Sequence, residues 1–283
     1  RHYGPHLLVL RELESGEEEV LDGGLSSSLS WSPDSRRLLY IKKGKADKYG
    51  SRQADIYEYN LDGPESGLTT KLLWTLPAVV GGFAPEGAKV RRLSHGLRAF
   101  YPAYSPDGRH IAFVHNQGTR NNLGIVNADG KGVRYLTDFA AGTQLYTPQW
   151  SPDGSHLAFS ISRQGQRDIA LLQMTQDAEH QGPSASQAEL EILVATEGTD
   201  RDPCWSDDGK TVIFSSDISG IFNLYALEIE IGQFSRLTNL IGGGMSPASG
   251  SAGQIAFAAY GRKGYEIRQV DRQGVPIEMP LRS

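Results

Sequence analysis

The chain has 283 residues, 33 of them glycine, one cysteine and a formal net charge of −5. An acidic balance excludes a general nucleic-acid binder, which carries a basic face, and the lone Cys204 excludes an intramolecular disulfide. No run approaches the roughly 18 apolar residues that a membrane-spanning helix requires.

In chain order, residues 6–21 read as two strands joined by Glu14-Ser15-Gly16, the outer half of a four-stranded unit. A repeat then begins. Trp31-Ser32-Pro33-Asp34 is followed by Tyr104-Ser105-Pro106-Asp107-Gly108, Trp150-Ser151-Pro152-Asp153-Gly154 and Trp205-Ser206-Asp207-Asp208-Gly209. Met245-Ser246-Pro247 reads as a worn fifth copy, and the steps between anchors are 73, 46, 55 and 40 residues. Repeats of about 40–50 residues built from short strands indicate a β-propeller.

Each copy reads as a strand, a tight turn and a second strand. Ser bonds back to the chain, Pro presets φ, and Gly supplies the left-handed residue. The second strands (Leu38-Leu39-Tyr40, Ile111-Ala112-Phe113, Leu157-Ala158-Phe159, Val212-Ile213-Phe214) are apolar on both faces, as a strand between neighbouring blades must be. A third strand follows at Asp55-Ile56-Tyr57, Asn122-Leu123-Gly124-Ile125, Asp168-Ile169-Ala170-Leu171 and Asn223-Leu224-Tyr225-Ala226. A fourth ends in Arg91-Arg92-Leu93-Ser94, Arg134-Tyr135-Leu136-Thr137 or Ser235-Arg236-Leu237-Thr238. No long stretch has a 3.6-residue period, so almost no helix is expected.

The expected fold is therefore all-β: a six-bladed propeller of four-stranded antiparallel blades, incomplete at the N-terminus, with a five-bladed ring as the alternative. The blades fall at residues 1–22 (outer half only), 23–94, 95–137, 138–196, 197–238 and a degenerate 239–283, all in a single domain. The last blade takes its strands from 254–260, 265–270 and a weak 275–279. The surplus at 63–89, with Leu72-Leu73-Trp74, reads as a flap on its own blade or as an apolar docking surface. The chain begins with Arg rather than Met, and a longer parent protein is expected. An open half-blade exposes strand edges, which something should cover.

Ser-Pro-Asp-Gly followed by Ile-Ala-Phe and a Leu-Thr ending resembles the WD40-like propeller repeats of the TolB family, over residues 6 to about 270. The stretches from Gly142 to Ser151 and from Gly198 to Trp205 look like bacterial multidomain surface proteins with a TolB-like propeller. The resemblance implies an exported, periplasmic or cell-surface domain of a Gram-negative-type bacterium that contacts other proteins. Related propellers also occur in prolyl oligopeptidase-type enzymes and in some polysaccharide lyases. No amino-terminal α/β domain of TolB is visible, so the resemblance implies the propeller and not a Tol–Pal role.

Catalytic motifs are scarce. There is no Gly-x-Ser-x-Gly elbow, no His-Glu-x-x-His helix and no phosphate-binding loop. His110 and His156 share one repeat slot with Arg37 and Thr211, which reads as a solvated position. His95 and His115 stand outside the repeat, too few for zinc. The turn residues Asp34, Asp107, Asp153 and Asp208 read as structural. Asp200 and Asp202 could instead hold Ca²⁺, with an ion-pair cluster around Arg201 as the plainer reading. Otherwise no cofactor is expected.

Loops from strand four to the next strand one share a rim with loops between strands two and three. That rim carries the candidate binding residues Arg98, Tyr101, Arg120, Gln144, Tyr146, Arg163, Arg201 and Asp202, with Phe100, Asn121, Arg167, Asp217 and Phe222 beside them. Tyr and Arg suit interfaces because they bury area and offer directional polar tips. The expected function is a non-catalytic scaffold that binds a protein partner or a neighbouring domain. The alternatives are a gating propeller of a peptidase and a glycan- or small-ligand-binding propeller or lyase.

Overall fold

The computed structural model describes residues 7–11, 17–23, 25, 29–44, 52–62, 89–177, 182–184, 190–250, 253–262 and 264–282. It contains no α-helix among them. Residues 1–116 with 125–134 pack as one compact unit, and residues 117–124 with 135–283 as another.

The chain opens with β1 (Leu7–Arg11) and β2 (Glu18–Gly23), a two-stranded ribbon. The next sheet holds β3 (Ser30–Trp31), β4 (Arg37–Lys43), β5 (Ala54–Asn60) and β6 (Val90–Arg92), and the one after it β7 (Ala99–Tyr104), β8 (His110–Asn116), β9 (Asn121–Asn127) and β10 (Arg134–Tyr135). β11 (Gln144–Trp150), β12 (His156–Arg163) and β13 (Gln166–Gln173) follow, then a separate hairpin of β14 (Thr175–Asp177) and β15 (Gly182–Ser184) that the sequence did not signal. β16 (Leu190–Val194) returns to complete the β11–β12–β13 sheet. The remaining sheets are β17 (Asp200–Trp205) to β20 (Gln233–Arg236), through β18 (Thr211–Ser216) and β19 (Asn223–Glu228), and then β21 (Gly244–Ser249), β22 (Gln254–Gly261) and β23 (Gly264–Asp271). Five sheets thus have three or more strands, the count of the five-bladed alternative. The ribbon β1–β2 gains no inner strands among the described residues, so six blades are not formed there.

The second strands are buried on both faces, as their composition requires; all of β18 is buried. In the second unit, Phe214, Val212 and Tyr225 of one sheet pack against Ala158, Ile169 and Leu171 of the sheet before it. Cys204, Ile213 and Leu224 pack against Ile255, Phe257 and Ala259 of the sheet after it. The anchor aromatics join this stacking. Trp205 is 8% exposed and its indole N–H donates to the Gln149 carbonyl at 3.2 Å. Trp31 is 47% exposed, because no described inner strand precedes it.

The Ser-Pro-Asp turns are closed by their own side chains. Ser32, Ser105, Ser151 and Ser206 donate to Asp34, Asp107, Asp153 and Asp208 at 2.5–2.6 Å. Each Ser Oγ also accepts from the amide five residues on, at 2.9–3.0 Å. Those amides belong to Arg37, His110, His156 and Thr211, so that slot forms part of the turn. Two of its four members are not solvated as expected: His110 and Thr211 are each 9% exposed, whereas Arg37 and His156 are half-buried.

The Ser151 hydroxyl, then the Ser155 amide and hydroxyl, hold Asp153 down at about 2. The Ser206 hydroxyl is the main cause of the same value at Asp208. A carboxyl held below its unfolded value stabilises the fold above that value, near 3.8, and the contribution disappears as pH falls toward 2. Burial raises Asp168 and Asp200 instead. They take up protons before the unfolded chain does, so their effect has the opposite sign and lies at higher pH. We expect Tm to fall between pH 4 and 2, with a shallower slope in the double variant Ser151→Ala/Ser206→Ala. Thermal melts across that range check this.

Two sequence assignments change. Ser246-Pro247 is not a worn turn. Ala248 pairs with Ala256 and Ser249 with Ile255, as Cys204 pairs with Ile213 and Trp205 with Val212. Ser249 therefore stands at the anchor, and Ser246-Pro247 matches Asp202-Pro203 inside the strand. Secondly, the weak strand at the C-terminus does not complete the last sheet. β24 (Val275–Ile277) crosses back and pairs antiparallel with β20 through Phe234–Ile277, Ser235–Pro276 and Arg236–Val275. The apolar surplus expected at 63–89 lies outside the described residues save Lys89, and β6 is the fourth strand as expected.

Candidate functional site

One lock recurs at the end opposite the Ser-Pro-Asp turns. In the first unit, Asp55 begins a third strand and accepts from Ser94 Oγ at 2.9 Å and Leu97 N at 3.1 Å. In the second, Asn122 accepts from Thr137 Oγ1 (3.2 Å) and Phe139 N (2.7 Å), and Asn223 from Thr238 Oγ1 (2.9 Å) and Leu240 N (2.8 Å). The Leu-Ser or Leu-Thr ending therefore exists to fasten the fourth strand and the following loop to the third strand. The β13–β16 pair departs from this. Val194 pairs with Ile169, which puts Ala195 where the others carry Ser or Thr. Asp168 instead receives the guanidinium of Arg282, from the C-terminal segment. The Arg282 amide bonds the Ala195 carbonyl at 2.7 Å, and Leu281 bridges to Thr196.

A second device recurs in the first strand of four sheets. Tyr101, Thr147, Asp202 and Ser246 have φ between 46° and 55°, each precedes a proline, and each marks a shift of register. These are bulges, which re-aim a strand. Proline is tolerated because the first strand is a sheet edge and needs no amide there. A left-handed residue before proline is strained, and such strain gathers at functional sites. Tyr101 and Asp202 were candidates from the sequence. Thr147 and Ser246 were not, although all four stand three residues before their anchor.

The other candidates are placed as follows. In the first unit, Arg98 has φ 50° and is exposed, and Tyr101 is half-buried. In the second, Arg120 pairs with Asp138 at 3.2 Å and Gln117 at 2.9 Å. Gln144 accepts from Asn121 at 3.0 Å. The Arg167 guanidinium lies 3.6 Å from the Tyr146 ring centre, Arg163 5.3 Å from Phe139, and Arg201 5.6 Å from Phe222. Three cation–aromatic stacks thus stand at the rim end of these sheets.

Asp200 and Asp202 use their oxygens on protein donors. Asp200 is fully buried and accepts from Thr196 N (2.8 Å) and Oγ1 (2.9 Å). Burial raises its carboxyl, against hydrogen bonds from Ser216 and Thr196 that lower it. Asp202 pairs with Arg201 at 2.9 Å and accepts from Ser246 Oγ at 3.3 Å, linking consecutive bulges. His115 Nδ1 meets the Leu97 carbonyl at 2.7 Å. Among the described residues, no three His, Cys, Asp or Glu side chains gather as a metal site.

Cys204 is the buried thiol expected, 7% exposed. Burial pushes it up to about 12, against a backbone hydrogen bond from Ser249. A thiol that is neither ionised nor reachable is unreactive. A disulfide reagent at pH 8 should leave the folded protein unmodified and label one thiol after denaturation.

The comparisons with known proteins agree with this architecture. The chain is 29% identical over 139 residues to the Tol-Pal system protein TolB of Anaeromyxobacter dehalogenans strain 2CP-C, covering 48% of this chain and 25% of that protein. It thus matches about a quarter of that relative's length. A putative TolB from Agrobacterium tumefaciens superposes with a TM-score of 0.64 at 18% identity, covering 95% of this chain and 86% of that one. A Mycobacterium tuberculosis puromycin-hydrolyzing peptidase superposes at 0.59 and 15% identity, covering 94% of this chain and 43% of that one. Likeness at such identities shows the fold alone. The family profile described as the TolB beta propeller domain matches residues 85–277, and the chain belongs to that family.

Proposed function

We propose that this chain is a non-catalytic TolB-like propeller that binds a protein partner through its rim loops, as part of a longer exported protein of the bacterial periplasm or cell surface. The observation that carries the reading is the set of rim stacks, Arg167 on Tyr146, Arg163 on Phe139 and Arg201 on Phe222. Stacking holds these long side chains in place before a partner arrives, so less freedom is lost on binding. Arg and aromatic residues are also the usual anchors of protein interfaces. The opposite end is built of uniform turns whose polar groups are used internally. The relatives' place in a Tol-Pal system supports an envelope setting. No helix among the described residues is long and apolar enough to cross a membrane. The reading invokes no cofactor.

The proposed binding residues are Arg98 and Tyr101 in the first unit, and Arg120, Gln144, Tyr146, Arg163, Arg201 and Asp202 in the second. The test is capture from periplasmic and envelope extract with two variants, Arg98→Ala/Tyr101→Ala and Tyr146→Ala/Arg163→Ala/Arg201→Ala. A protein retained by the parent and lost with either variant, at unchanged Tm, supports the rim. Equal retention by both removes it. A gating role beside a peptidase domain is the second reading, favoured by the superposition on part of a peptidase chain. Under that reading this chain alone captures nothing.

A further inference from the structure

A cavity of about 350 Å³ opens in the second unit, lined by Asp217, Phe222, Gly242, Gly243, Tyr260 and Tyr265 among others. Its size falls within the range of small-ligand sites, about 300–1,000 Å³. We propose that it binds a primary ammonium group, borne either by a lysine side chain or by a free alkylamine.

The walls are aromatic. Tyr260 and Tyr265 face each other across the turn of the β22–β23 hairpin, ring centres 5.1 Å apart and tilted by 59°. They are 51% and 66% exposed, and neither phenol has a hydrogen-bond partner among the described residues. Phe222 adds a third ring. Its attraction for cations is already used once, by the Arg201 guanidinium at 5.6 Å, whose charge is in turn paired with Asp202. A cation near several ring faces is held by their quadrupoles, as in aromatic cages for ammonium ligands.

The floor supplies the counter-charge. Asp217 Oδ1 accepts the Thr199 amide at 2.6 Å, which fixes the carboxylate. Its other oxygen has no partner among the described residues. One free oxygen suits a point charge with three rotatable donors better than the planar fork of a guanidinium, which prefers both carboxylate oxygens. Among the described residues no cationic side chain lines the cavity, so an anionic sugar would meet Asp217 without a counter-charge from them.

The site is also rigid. Gly244 N bonds the Phe222 carbonyl at 2.8 Å, Tyr260 N the Gly243 carbonyl at 2.9 Å, and Gly220 N the Asp217 carbonyl at 2.7 Å. Gly242 lies so close to the hairpin that an added Cβ would sit 1.9 Å from the Tyr260 carbonyl oxygen. The loops therefore meet at a fixed distance. This assignment goes beyond the rim reading and stands without it.

The experiment is amide chemical-shift titration of the 283-residue chain with Nα-acetyl-lysine amide, Nα-acetyl-norleucine amide, cadaverine and galacturonate. The lysine probe should give saturable shifts centred on residues 217, 220–222, 242–245, 260 and 265, with a Kd on the order of 1 mM for so small a ligand. Asp217→Asn keeps the acceptor for Thr199 and should weaken binding about tenfold. Tyr265→Ala, at an exposed position, should do likewise at unchanged Tm. Equal affinity for cadaverine would identify a free amine as the source, and preference for lysine within a pentapeptide would identify a protein. Absence of saturable shifts with lysine, equal binding of norleucine, binding of galacturonate at the same residues, or undiminished affinity in both variants overturns the proposal.

Discussion

Replacing Asn223 by Leu should destabilise the second unit by about 2–4 kcal/mol. Asn223 is 2% exposed. Its amide oxygen accepts from Thr238 Oγ1 and Leu240 N, and its Nδ2 donates to the Ile221 carbonyl at 3.2 Å. Thr238 Oγ1 in turn accepts from Leu224 N at 2.9 Å. Leucine fills a similar volume and satisfies none of these groups, so the Leu240 amide and the Thr238 hydroxyl lose their acceptor, while the Ile221 carbonyl keeps the Ser219 hydroxyl at 3.3 Å. Asn223→Asp retains the acceptors, as Asp55 does at the matching position of the first unit, and should cost less than half as much. Urea unfolding with an unchanged m-value is the measurement. A loss under about 1 kcal/mol for Leu would show that the lock adds little beyond ordinary net hydrogen-bond strength.

Truncation after Gly274 should cost about 3 kcal/mol and lower Tm by roughly 6–12 °C. The deleted segment supplies β24 to the edge of β20, and Ile277 and Met279 pack against the core that contains Phe234. It also supplies Arg282, without which Asp168 keeps a mostly buried carboxylate beside the fully buried Asp200. Removing one partner of a mostly buried pair leaves the other charge uncompensated. Arg282→Ala alone should therefore cost more than Arg282→Ala combined with Asp168→Asn. Thermal melts of the three variants separate the strand from the ion pair. Equal stability of the single and double variants would show that the pair contributes only screened surface attraction.

The two predictions differ in how far the sequence anticipated them. Asn122, Asn223 and Asp55 open their strands visibly, and Leu-Thr or Leu-Ser closes each repeat. The spacing showed that these residues recur, and the structure shows that they bond each other. The segment from β24 to Arg282 was visible only as a weak strand. Nothing local in Val275-Pro276-Ile277 states which edge it will join. The absence of Ser or Thr at Ala195 was the available signal, and it becomes readable only once the one-residue bulge in the β13–β16 pairing is known.

Ser246-Pro247 was misread for a related reason. Two kinds of X-Pro step occur among the repeats, one in the turn, as at Ser105-Pro106 and Ser151-Pro152, and one in the bulge three residues before the anchor, as at Tyr101-Pro102 and Thr147-Pro148. With the anchor aromatic replaced by Ser249, only strand pairing tells them apart. The cavity was beyond reach because its residues come from three separate parts of the chain, Asp217 to Phe222, Gly242 to Met245, and the pair Tyr260 and Tyr265.

The sequence by itself determined the all-β class, the Ser-Pro-Asp turns, the doubly buried second strands and the inert Cys204. The turns rest on interactions within about six residues, and the second strands and the strand holding Cys204 on short apolar runs, so composition and spacing carry them. Tertiary structure alone decided the number of full sheets, the edge that receives β24, the pairing of Arg282 with Asp168 and the placing of Asp217, Phe222, Tyr260 and Tyr265 around one cavity. Those outcomes depend on which strand edges and carboxylates remain unsatisfied after the local structure has formed, and that is a property of the assembled sheets.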